Sequence, residues 1–152
     1  MKKVLLLAAL SVLAAALVIP AAFAGNGPAP KATGDIWYAN PWTGVPTHVS
    51  FVAQDLGAGG AKGSMSYADE TGSYQATVIA AHLDSNTQAS FTAKVTSGAG
   101  AYAGMPIGTL VPMIVVDNGE PGVNDTATWL DPSDSNHPYS LGPLTAGNIQ
   151  VH

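Results

Sequence analysis

Beyond residue 34 the apolar residues of this chain recur at every second position, in short runs cut apart by glycine, proline, asparagine and aspartate. A side-chain period of two belongs to a pleated strand. No stretch there keeps the three-to-four-residue stripe with which a helix buries one face, because Gly and Pro interrupt every candidate. Residues 88–95 show the pattern most cleanly: Ala89, Phe91, Ala93 and Val95 alternate with Ser90, Thr92 and Lys94. The same rule puts Val49, Phe51 and Ala53 on one face of residues 48–53, Met65 and Tyr67 on one face of 63–67, and Ile149 and Val151 on one face of 148–152. Residues 125–130 alternate Thr126 and Thr128 against Ala127 and Trp129, whereas residues 74–83 are partly apolar on both faces. Residues 107–116 are β-branched and apolar but contain Pro112, which cannot donate to a ladder; this strand is expected at a sheet edge, or bulged there.

With residues 35–38 these runs make about eight short strands. Turn chemistry separates them at residues 56–60, 69–72, 84–87 and 118–119. The fold expected is all-β: a single antiparallel small barrel or sandwich over residues 34–152. Residues 131–147, rich in Pro, Ser, Asp and Gly, read as a long exit loop.

The N-terminus has a different character. Lys2 and Lys3 precede an apolar run of 16 residues, 4–19, then Pro20 and the small residues Ala22 and Ala24. That is the layout of a secretory signal peptide, residues 1–24, cleaved after Ala24. The run is shorter than the ~20 residues that span a bilayer, so no stable membrane anchor is expected after cleavage. The Gly/Pro/Ala-rich residues 25–33 read as a flexible tether. The expected location is secreted or periplasmic.

Composition then excludes several functions. The chain has no Cys, hence no disulfide framework, thiol nucleophile or thiolate metal site. After loss of residues 1–24 it keeps three lysines, no arginine and ten acids, a formal charge of −7. Such a surface cannot neutralise phosphates, so no nucleic-acid partner is expected.

In the last third, Val115-Val116-Asp117-Asn118-Gly119-Glu120-Pro121-Gly122, then Asn124-Asp125-Thr126, then Leu144 with Gly147-Asn148-Ile149-Gln150-Val151-His152, resemble the post-COAP domain. This is a family of small β-rich domains of secreted bacterial proteins. Residues 115–152 carry the resemblance, and residues 61–114 fit it loosely. It implies an extracellular β module, with no catalytic residues to carry over. The chain departs from the pattern at Ala127, where a larger apolar residue is expected, and at residues 131–138.

Two clusters of residues are candidate sites. Asp117, Glu120, Asn124 and Asp125 offer hard oxygens of the kind Ca²⁺ takes, in a spacing unlike an EF-hand; the competing reading is a turn whose Asp and Asn bond their own backbone. Trp37, Tyr38 and Trp42 lie within six positions and are ring candidates for stacking on sugars. On one strand Trp37 and Tyr38 point to opposite faces, so one of them belongs to the core. The histidines His48, His82, His137 and His152 show no zinc spacing, and no G-x-S-x-G elbow accompanies them. The function expected is a secreted non-catalytic module with a binding or structural role at the cell surface or in the periplasm. Its partner would be a glycan or another surface protein. The alternatives are a self-assembling subunit that pairs through an edge strand near Pro112 or through its N-terminal segment, and, third, a secreted hydrolase.

Overall fold

A computed structural model describes residues 28–41, 43–119, 122, 124–130, 138–142 and 144–152. The segment read as a signal peptide lies outside the described residues. Among the described residues nine strands form one antiparallel sheet: β1 (Lys31–Ala39), β2 (Pro46–Asp55), β3 (Ala61–Asp69), β4 (Gly72–Leu83), β5 (Gln88–Gly100), β6 (Leu110–Val116), β7 (Thr126–Leu130), β8 (Pro138–Ser140) and β9 (Leu144–Val151). Strands β1 to β8 follow one another as a meander, and β9 returns to pair with β1. The sheet curls into a nearly closed barrel, the first of the two architectures expected from the sequence.

The alternation read from the sequence sets which face goes inside. Ile36, Val49, Phe51, Met65, Phe91, Val95 and Ile149 all point inward and are buried. Large and small residues complement each other across this interior, as a narrow barrel requires. Phe51 and Phe91, from β2 and β5, meet with ring centroids 5.0 Å apart. Phe51 has room because Gly34 stands opposite it on β1, where a Cβ would lie 2.2 Å from the ring.

Some expectations need correction. The strand β1 starts at Lys31, inside the segment read as a tether. Ala32 is fully buried, Asp55 N–H donates to Pro30 O at 2.9 Å, and Lys31 and His152 exchange backbone bonds of 3.0 and 2.9 Å. The residues 131–147 are not all loop, since β8 and the start of β9 fall within them. Nor is β6 an edge strand, because β5 and β7 flank it. The ladder to β7 ends at Met113, however, so Pro112 stands just outside it. The two-sided apolar run of β4 has a local cause. A bulge between Val78 and Ala80 shifts the register, so even-numbered Tyr74, Ala76 and Val78 point inward before it and odd-numbered Ala81 and Leu83 pack against the core after it.

Closure of the barrel depends on two carboxylates. On its open side β9 comes round against β6, and its amides meet side chains there instead of a neighbouring backbone. Ile149 N–H donates to Asp125 Oδ2 at 2.7 Å, and Val151 N–H donates to Asp117 Oδ2 at 3.1 Å. The second oxygens accept from the hairpin itself: Asn118 N–H to Asp125 Oδ1 at 2.8 Å, and Gly119 N–H to Asp117 Oδ1 at 2.9 Å. Each carboxylate thus does the work of a ladder carbonyl on β9 while it fixes the turn that carries it.

Candidate functional site

Strand register assembles a polar row on the outer face. Asn148 of β9 lies opposite Asp35 of β1, Asp35 opposite Ser50 of β2, Ser50 opposite Ser66 of β3, and Ser66 opposite Gln75 of β4. Five side chains with hydroxyl, amide or carboxylate ends therefore cross five strands in line, over a span of ~19 Å at the usual interstrand spacing. The hydroxyls of Ser50 and Ser66 bond each other at 2.7 Å. These residues line a groove of about 520 Å³, into which Gln150 and Ser64 of the next row also open.

One row towards the other end of the strands, Trp37 pairs with His48. Their rings stack with centroids 4.4 Å apart and 17° between planes. His48 Nε2 is also hydrogen-bonded to Asp35 Oδ1, which ties the imidazole to the polar row. Trp37 remains 44% exposed. The stack and the Asp35 bond together hold an indole two residues along β1 from the polar row, outside the lining of the groove itself.

The sequence candidates fall out as follows. Trp37 faces outward and Tyr38, at 3% exposure, faces into the barrel, as alternation requires; Tyr38 therefore takes no part in an outer aromatic platform. Trp42 lies outside the described residues. Of the acidic set, Asp117 and Asp125 are brought together by barrel closure, and all four of their oxygens accept backbone N–H groups. Asn124 is exposed and its carbonyl accepts from Asn118 Nδ2 at 2.7 Å; Glu120 lies outside the described residues. Asp117 and Asp125 brace β9 against the hairpin, and among the described residues no group of three His, Cys, Asp or Glu is placed to hold a metal.

Sequence reasoning passed over a second region, the interior at the Tyr67 end. Tyr67 and Tyr74 are directly opposed on β3 and β4 and stack at 4.8 Å, with Tyr102 edge-on to both. Tyr102 belongs to a short 3₁₀ turn, Ala101–Gly104, and packs against Gly98, where a Cβ would lie 2.0 Å from Tyr102 O. The Tyr67 and Tyr102 hydroxyls donate to Asp69 Oδ2 at 3.0 and 2.6 Å, while Asp69 Oδ1 accepts from Thr71 N–H and Oγ1. Desolvation would lift the Asp69 pKa, but the bonds from Thr71, Tyr102 and Tyr67 outweigh it and hold the carboxyl well below the usual range. The signal available in the sequence was that Tyr67 and Tyr74, flanking the Asp69–Gly72 turn, fall on the same inward face.

No protein-family model, curated protein or solved structure matches this chain.

Proposed function

We propose that this chain is an exported, non-catalytic β-barrel module that binds an extended neutral glycan across its outer face. The observation that carries the reading is the in-register row Asn148–Asp35–Ser50–Ser66–Gln75 beside the exposed Trp37. Sugars present rings of hydroxyls that both donate and accept, together with apolar C–H faces. A line of short hydroxyl, amide and carboxylate groups answers the first, and an indole answers the second. The row runs across the strands, so an occupant would lie across β9 to β4 rather than along one strand. The scarcity of basic groups favours a neutral glycan over a sulfated or uronic one. Export rests on the signal-peptide layout of residues 1–24.

A glycan array probed with residues 25–152 tests this. Neutral oligosaccharides are expected to bind, and Trp37→Ala is expected to abolish the signal while leaving the thermal melt close to wild type. An array on which no neutral glycan binds, or binding indifferent to Trp37→Ala, would refute the reading.

A further inference from the structure

We propose that the barrel interior at the Tyr67 end is a second, separate binding site, for a small uncharged molecule the size of one ring that carries a hydrogen-bond acceptor. An aromatic ketone or aldehyde has this chemistry. The site is a cavity of about 150 Å³ whose lining includes Tyr38, Asn40, Val49, Val111, Trp129 and Leu141. An apolar cavity of about that volume takes a benzene-sized guest, which sets the scale of the buried part of the occupant.

Two features of the wall define the chemistry. The first is methionine. Met65, Met105 and Met113 all line the cavity, and apart from Met1 they are the only methionines of the chain. Thioether side chains are polarisable, adapt to irregular guests and contact aromatic rings favourably. The second is the set of phenols. Tyr67 and Tyr102 spend their protons on Asp69, but the hydroxyls of Tyr38 and Tyr74, on the same wall, make no hydrogen bond to another described residue. Both residues are more than nine-tenths buried. Neither hydroxyl is among the sealed-off polar atoms of the described residues, so both reach open space, and two phenolic donors on one cavity wall suit a guest that carries an acceptor. Burial, with neighbouring phenols, raises the pKa of both, so each keeps its proton to donate. The Asp69 carboxylate at the same end disfavours an anion in the cavity.

The methionines supply the readout. With [13C-methyl]methionine-labelled protein, acetophenone should move the Met65, Met105 and Met113 methyl resonances along one saturable isotherm. Ethylbenzene, of the same shape but without an acceptor, should bind about tenfold more weakly, and benzoate should leave the methyl signals in place. The double variant Tyr38→Phe/Tyr74→Phe keeps both rings and should reduce acetophenone affinity about tenfold, to the level of ethylbenzene. Methyl signals that stay still under acetophenone would overturn the proposal and leave the cavity to ordered water. Equal affinities for acetophenone and ethylbenzene on the unaltered protein would overturn the role of the phenols without any substitution.

Discussion

Replacing Asp125 by Asn changes one atom at the point where the barrel closes. Asp125 is 1% exposed, and its two oxygens accept Ile149 N–H at 2.7 Å and Asn118 N–H at 2.8 Å. An asparagine fits the same space, but its NH₂ must face one of these donors. That bond is lost and leaves a buried N–H unsatisfied, a cost of about 1.5–3 kcal/mol for a bond to a charged acceptor. The remaining bond loses its charge, and with it about 1 kcal/mol. The variant is expected to be less stable by about 2.5–4 kcal/mol, a large share of the ~5–15 kcal/mol typical of a domain. Urea unfolding followed by circular dichroism measures this directly, with the midpoint falling and the slope unchanged if only the native state is affected. Asp117→Asn is the internal comparison. Its bonds are longer, at 2.9 and 3.1 Å, and it is only partly buried, so its loss should be smaller, about 1–2 kcal/mol. An Asp125→Asn variant within about 0.5 kcal/mol of wild type would refute the closure argument.

Three other outcomes follow from the same structure. Phe91→Ala removes a buried ring that meets Phe51 and should cost about 3–5 kcal/mol, whereas Lys94→Ala on the outer face should stay within about 0.5 kcal/mol; equal effects in denaturant melts would reverse the assigned facing of β5. Millimolar calcium should leave the melting temperature unchanged, because the Asp117 and Asp125 oxygens are engaged by amides, while Gly122→Val should destabilise, since Gly122 has φ +76° and a Cβ there would lie 2.4 Å from Asn148 Oδ1; a calcium-dependent rise that disappears in Asp125→Asn would restore the cation site. Asp69 ionises below its ordinary value of 3.8 in the fold, so its contribution is present above about pH 4 and lost as the pH falls through the lowered value. Asp69→Asn should therefore melt below wild type at pH 6 and converge with it in acid, and a gap that stays constant down to about pH 2 would contradict the phenol–carboxylate network.

The facing of β2, β3, β5, β7 and β9 was legible because period-two alternation is a local property. Knowing that Phe91 is apolar between Ser90 and Thr92 is enough to turn it inward. The phase of β4 was not legible. Its bulge at Ile79 reverses the alternation, and Val78, Ile79, Ala80 and Ala81 are apolar in either phase. The start of β1 was hidden by the Gly, Pro and Ala residues around Lys31, and β8 is three residues long, too short to show a period. Asp117 and Asp125 stood out as an acidic pair, but a carboxylate that will accept amides looks in sequence like one that will hold a cation. The amides these carboxylates accept come from β9, which reaches them only through its return past β6. The outer row could not be read either, because it is built from one residue on each of five strands and exists only through register. Tyr102 and Met105 reach the cavity from a 3₁₀ turn and the residue after it, where no alternation points the way.

The most direct test of glycan binding on the outer face is an NMR titration of a neutral oligosaccharide bound on the array. The protein would carry 15N throughout and 13C at its methionine methyl groups. The account predicts saturable shifts at the backbone amides of Asp35, Ser50, Ser66, Gln75 and Asn148 and at the Trp37 indole N–H, with the methyl signals of Met65, Met105 and Met113 unmoved. Shifts confined to those methionines, or a glycan that moves neither set, would contradict it.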